Sequence, residues 1–245
     1  MEDEFSRTFR YAWDFYRKRL GLIIIFSIPF ILAFLIPVLV PAPTYVSLGA
    51  VFLRTGSIPE LSALDLVITA VAYALAVFVI SDTIVNINII VRSKRTLTSI
   101  KHEVLQAVGS YAMRIFYIYT MLLLLLFIAQ LVTYDNPLQS WLFPGASLIL
   151  SLLLFFVPPA VVIDNSDTPT AIRRSVSMVL KNPHFPLLWT FLSLLLLTVM
   201  KLFADLVFQS PYSGYFVLLV NSLLVMPFMT VLQTQMYMEK YPLAR

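Results

Sequence analysis

Asp82 is the residue whose type and position most demand a chemical explanation. It lies inside an apolar run covering 64–91, ten residues before Arg92 and so about 15 Å inside that end of a helix. A carboxylate at such depth in hydrocarbon is costly unless it meets a partner, water or a proton. Asn86 follows one helical turn later, with Ser81 and Thr83 beside the acid. The spacing predicts an intramembrane polar patch of Asp82, Asn86 and Ser81, facing a bundle interior or a wet cavity. Two chemistries fit it: a structural hydrogen bond to a neighbouring helix, or a site for a ligand, an ion or a proton.

Other polar residues invite blander readings. Lys201 and Asp205 are four apart on one helix face, as expected of a structural pair whose lysine snorkels to the headgroups. Asn221 with Ser222, and Gln233 with Gln235, have the character of hydrogen-bonding glue between helices. Asp164 and Asp167, around Asn165-Ser166, suit the start of a helix better than a cation grip. Glu103 beside His102 is the one adjacent acid–imidazole pair, and it falls on a solvated helix face. The chain has no HExxH, no glycine-rich phosphate loop and no GxSxG. It has no cysteine and two histidines, His102 and His184, which excludes thiolate and histidine-rich metal sites. No catalytic residue, metal ligand or cofactor site is assigned, and the expectation is a protein that is not an enzyme.

The elements that must position these residues are membrane spans. Of 245 residues, 60% are hydrophobic and 12% charged, against about 45–50% and about 25% in soluble domains. Continuous apolar runs cover roughly 20–41, 64–91, 115–133, 141–163, 187–209 and 212–238. Each can cross about 30 Å of hydrocarbon as a helix, and their lack of alternation excludes a β-barrel. Pro29, Pro37, Pro158, Pro159 and Pro227 within them predict kinks. Ala70, Ala72, Ala74 and Ala76 permit close approach and place the second span centrally in the bundle.

Charge sets the orientation. Of 17 Lys and Arg, fifteen fall in segments 1–19, 92–114, 164–186 and the tail, and only Arg54 and Lys201 lie on the other side. That bias predicts a multi-pass cell-membrane protein with both termini in the cytoplasm. The net charge of +4 follows these flanks rather than an isolated basic module, which argues against a nucleic-acid partner. The acidic opening Met1-Glu2-Asp3-Glu4, with no cleavage site after the first apolar run, is unlike a signal peptide. Sparse Asn and Gln fit a thermophilic prokaryote.

The cytoplasmic segments are themselves patterned. Phe5, Phe9, Trp13, Tyr16 and Leu20 recur at helical spacing, as do Ile100, Val104, Val108, Tyr111 and Phe116, and then Ile172, Val176, Val179 and Leu180. Their polar faces carry the candidate lipid-headgroup contacts Arg7, Arg10, Arg17, Lys18, Arg19, Lys101, Arg114, Arg173, Arg174 and Lys181. These spacings predict three amphipathic helices lying in the membrane interface. Breakers follow each of them (Gly21, Gly109, and Pro183 with Pro186), and two spans follow each breaker. The chain therefore reads as one all-α polytopic bundle of six transmembrane helices plus three interfacial helices. It is built as three parallel repeats, 1–92, 93–164 and 165–245. Between the first two spans, Tyr45 through Leu53 is expected to form a short interfacial helix.

The stretch Val161-Val162-Ile163-Asp164-Asn165-Ser166-Asp167-Thr168-Pro169-Thr170-Ala171-Ile172-Arg173-Arg174-Ser175, followed by Lys181-Asn182, carries a family resemblance. It resembles the membrane domain of glycerophosphoryl diester phosphodiesterases and related multi-span prokaryotic membrane proteins. In these a short acidic turn precedes an A-[LI]-R-R-S helix leading into a span. The resemblance covers about 30 residues. It implies a membrane-embedded module of the kind often fused to a soluble enzyme. The phosphodiesterase barrel and its catalytic residues are missing from these 245 residues, so diesterase activity is not carried over.

Three functions remain open. Basic amphipathic helices favour a non-catalytic membrane module that binds lipid or a membrane-protein partner. Asp82 and Asn86 favour a small-molecule or ion transporter or channel, although parallel repeats are unlike the inverted-repeat transporter design. A membrane-embedded enzyme acting on lipids is the third. Oligomeric state is not legible.

Overall fold

The computed structural model describes residues 2–36, 43–48, 51–56, 63–96, 108–133, 139–209 and 212–240. Helices α1 (Glu2–Lys18) and α2 (Leu20–Leu35) come first, then strands β1 (Pro43–Leu48) and β2 (Val51–Gly56) and the long helix α3 (Ala63–Thr96). A π-helical turn, Val108–Ala112, leads into α4 (Met113–Val132). Next are α5 (Gln139–Leu153), α6 (Val157–Ile163), α7 (Thr168–Lys181) and α8 (His184–Val207). Helix α9 (Tyr212–Val220) passes through a second π-helical turn, Asn221–Val225, into α10 (Met226–Lys240).

This is a helical membrane protein. Among the described residues, five helical stretches are long and apolar enough to cross a bilayer: Val67–Ser93, Gly109–Gln130, Trp141–Ile163, His184–Val207 and Tyr212–Glu239. The pair α1 and α2, bent by 90° at Arg19, makes a sixth if the two count as one broken span. Along α2 and α4, and along α8 before Lys201, the outward surface is largely hydrocarbon, including Ile25, Ile28, Leu32, Met121, Leu124, Leu125, Leu194 and Leu195. Apolar area on that scale has no place in water and suits acyl chains.

Proline sets the breaks. Pro158 and Pro159 have no N–H, so α5 cannot run on as a regular helix and α6 starts afresh with proline in its first turn. The carbonyls freed there are taken from outside. Ser175 Oγ of α7 donates to Leu153 O at 2.7 Å and accepts from Phe156 N–H at 2.9 Å. Gln233 Nε2 of α10 donates to Phe155 O. Pro227 similarly lacks the donor an α-helix needs there, and the π-helical turn at Asn221–Val225 lies just before it.

Helix α3 is the centre of the bundle, and 72% of its most apolar 18-residue stretch is buried. Its packing runs through the second half, from Ala76 to Val91, whereas Ala70 and Ala74 are exposed. The close contact that the alanine spacing predicts therefore involves Ala76, with Ala72 half-buried, and not Ala70 or Ala74. Around α3 lie α2, α4, α6 and α10. Tyr119, Phe155, Phe156, Phe185 and Tyr237 are fully buried large side chains of this core.

Two expectations are corrected. The stretch from Tyr45 to Leu53 is not a helix: β1 and β2 pair antiparallel, with Tyr45 opposite Arg54 and Val46 opposite Leu53. Thr44, Tyr45, Val46, Val51 and Phe52 are strand formers, and that preference outweighs the amphipathic helical spacing. The fold remains a helical bundle, with this one small hairpin between α2 and α3 among the described residues. The first break falls at Arg19, and Gly21 lies inside α2. Of the three amphipathic segments, the start of the second lies outside the described residues, and Val108–Ala112 is π-helical.

Candidate functional site: a stapled turn, two basic helices and an intramembrane acid

Helix α6 ends at Ile163, and Asn165 then turns left-handed at φ 49°, the only non-glycine residue with positive φ among those described. Asparagine tolerates that conformation better than a branched residue would, and it is a common helix-ending geometry. Ser166 N–H reaches back to Ala160 O at 3.4 Å. This turn then collects three arginines from three helices. Arg92 of α3 donates to Val162 O at 2.8 Å. Arg114 of α4 donates to Asn165 Oδ1 at 3.2 Å and Ser166 O at 3.1 Å. Arg174 of α7 pairs with Asp164 Oδ2 at 2.6 Å and donates to Ser166 Oγ at 2.9 Å. Tyr237 of α10 donates to the same Asp164 oxygen at 2.5 Å. Guanidinium donors suit the loose carbonyls at a helix C-terminus, where the backbone dipole is negative. The residues that carry the family resemblance are therefore a structural staple joining α3, α4, α7 and α10.

Helix α1 packs lengthwise on the last turns of the chain. Phe9, Trp13 and Tyr16 surround Phe228 with ring centroids 5.4–5.7 Å apart. Tyr16 donates to Leu224 O at 3.0 Å, and Arg7 pairs with Glu239. Protein thus covers the apolar face of α1, with Thr8, Ala12, Phe15 and Tyr16 buried. Its other face presents Arg10, Asp14, Arg17 and Lys18, all exposed. On α7, Ala171, Ser175 and Met178 are buried while Arg173 and Lys181 are exposed. Arg10, Arg17, Lys18, Arg173 and Lys181 have no carboxylate partner among the described residues. Of the remaining basic candidates, Arg7 and Arg174 are committed to ion pairs, Arg114 to the turn, and Arg19 sits at the bend. Lys101 lies outside the described residues.

A cleft of about 320 Å³ opens where α1 meets α8, lined by Phe5, Ser6, Phe9, Leu188, Phe191 and Leu192. Its walls are hydrocarbon apart from Ser6. Arg10 follows Phe9 and stands one helical turn from Ser6.

Within α3, Asn86 Nδ2 donates to Asp82 Oδ2 at 3.1 Å. Asp82 Oδ1 and Asn86 Oδ1 are both buried and make no hydrogen bond. Asn86 is only 6% exposed. Ser81 does not join them; its hydroxyl returns to Val77 O at 2.7 Å, and Thr83 likewise bonds Val79 O. The patch is thus a pair and not a triad. A polar contact missed by the sequence reading lies two residues further along, where Thr234 Oγ1 of α10 is 2.5 Å from Asn88 Oδ1. Lys201 and Asp205 pair at 2.7 Å on the exposed face of α8. No group of three His, Asp or Glu side chains able to hold a metal occurs among the described residues.

Fold and surface together define a polytopic helical membrane protein. Compared with known proteins, the chain matches no family model, no curated protein and no solved structure.

Proposed function

We propose that the protein is a non-catalytic membrane module that binds anionic phospholipid through its basic amphipathic helices. The observation that carries this reading is the set of exposed cations without carboxylate partners on α1 and α7: Arg10, Arg17, Lys18, Arg173 and Lys181. Each such side chain near an anionic surface contributes about 1 kcal/mol of attraction. The α1–α8 cleft supplies the apolar half of a lipid site, with an acyl chain between Phe9 and Leu188 and the phosphate at Arg10 and Ser6. In this reading the basic helices face the cytoplasm, as positive charge directs. The passage from α1 into α2, like that from α7 into α8, runs from amphipathic helix through a break into a span, which supports the repeat design. The resemblance of residues 161–175 to phosphodiesterase membrane domains supports a module without chemistry of its own.

The test is lipid retention. Protein released from mixed phosphatidylcholine and phosphatidylglycerol nanodiscs should keep anionic lipid preferentially, and about 0.5 M salt should abolish the preference. Replacing Arg10, Arg17 and Lys18 together by Gln should cut that retention severalfold with the helical content unchanged. Equal retention of both lipids by the unaltered protein would sink the proposal.

A further inference from the structure

We infer that Asp82 and Asn86 form a proton-binding site inside the third helix, the acid carrying one proton and closing a cyclic acid–amide pair. The inference stands on geometry in α3 and is independent of headgroup binding. One half of the ring is already present: Asn86 Nδ2–H donates to Asp82 Oδ2 at 3.1 Å. The two atoms left over are Asp82 Oδ1 and Asn86 Oδ1, buried and without partners. Each shares its carbon with an atom of the observed bond, which is the connectivity an eight-membered acid–amide ring requires. Both are acceptors when the acid is ionised, and two acceptors cannot satisfy each other. A single proton on Asp82 Oδ1 changes this. The O–H then donates to Asn86 Oδ1, and both buried oxygens are satisfied at once.

No other partner competes for the carboxyl group. Asn86 is its one hydrogen-bond partner among the described residues. Helices α2 and α6, packed against α3, have no titratable side chain. Helix α4, with its leading turn, brings Tyr111, Arg114, Tyr117 and Tyr119, and α10 brings Tyr237, Glu239 and Lys240. Of these, Arg114 is held on the 162–166 turn, Tyr237 on Asp164 and Glu239 on Arg7. Arg92, the next cation along α3, is engaged with Val162 O. A metal cation is the rival occupant, but hard cations take about six oxygen ligands, and this pair offers two. The neutral, ring-closed acid is also the form a bilayer interior tolerates. The site therefore takes a proton, the ligand class that a proton-coupled membrane protein requires.

Infrared difference spectroscopy of unaltered protein against Asp82→Asn, in nanodiscs at neutral pH, tests this directly. The expected result is loss of a protonated-carboxyl carbonyl band, one that moves in deuterated water and shifts upward in Asn86→Leu. Loss of ionised-carboxylate bands instead would overturn the inference. Thermal unfolding gives a second reading. Asp82→Asn can rebuild the ring as an amide pair and should unfold within about 2 °C of the unaltered protein, while Asp82→Leu strands Asn86 and should fall by about 3 °C or more. Exchanging sodium for choline should leave spectra and midpoints unchanged, and a sodium-dependent shift in either would assign the site to a metal cation and refute the proton.

Discussion

Two carboxylates, Asp164 and Asp82, stand in opposite situations in one bundle. Asp164 sits at the end of α6, and its Oδ2 receives donors from two other helices, Arg174 of α7 and Tyr237 of α10. Asp82 sits in the middle of α3, and its partner, Asn86, is on its own helix one turn away. A carboxylate held by several helices fixes how they pack, because no donor can leave without moving a helix or orphaning a charge. A carboxylate paired along one helix leaves the packing alone and is free to change its state. The first arrangement builds the fold, and the second can serve chemistry.

The comparison predicts a graded series of stability losses, each read from thermal or denaturant unfolding in one detergent. Asp164→Leu should be the most damaging. It removes the acceptor that Arg174 and Tyr237 share, and a broken buried pair costs about 3–5 kcal/mol, reduced here to about 3 kcal/mol because Arg174 is partly exposed and keeps Ser166 Oγ. A loss below about 1 kcal/mol would mean that the 162–166 turn is a surface loop and not a staple. Ser175→Ala comes next. The hydroxyl serves both Leu153 O and Phe156 N–H across the proline break, so its removal orphans a buried donor and a buried acceptor, at about 2–3 kcal/mol. Gln233→Leu removes one donor, the one on Phe155 O, and should cost about 1–2 kcal/mol. If Gln233→Leu proved worse than Ser175→Ala, the break would be held from α10 rather than from α7.

These same residues show what a sequence can display and what it conceals. The apolar runs locate the spans because hydrophobic length is a property of the chain itself, and Pro158-Pro159 marks a break because a missing N–H is local chemistry. The start of α7 at Thr168, with Pro169 in the first turn, is legible for the same reason. Gln233 reads as glue, but not as the donor to Phe155, since that depends on how α10 is rotated against α6. The stapled turn stayed hidden likewise: Arg92, Arg114 and Arg174 look like cytoplasmic charge until three helices bring them to one place. The lipid-facing reading of Phe9, Trp13 and Tyr16 overlooked Phe228, because amphipathic spacing says which face is apolar and not what covers it. Asp82 and Asn86 are legible because i, i+4 spacing on one helix needs no tertiary information. The pairing of Pro43–Leu48 with Val51–Gly56 is hidden because helical spacing there competes with β-branched and aromatic content.

The smallest effect belongs to the third acid. Asp205 pairs with Lys201 at 2.7 Å, on a face of α8 that the rest of the protein leaves open. Lys201 lies six residues before Val207, about 9 Å from the helix end, so its long stem can carry the ammonium out to the headgroups by itself. Lys201 then has phosphate or water, and Asp205 has water or Ser213, as an alternative partner. Lys201→Met, Asp205→Asn and the double variant should therefore unfold at indistinguishable midpoints, with no coupling in the cycle. A clear loss in Lys201→Met that Asp205→Asn relieves would place the pair in hydrocarbon instead, where an unpartnered carboxylate is expensive. That outcome would move the bilayer boundary toward the end of α8. It would also make this acid resemble Asp82: an acid held in oil and paired one turn along its own helix.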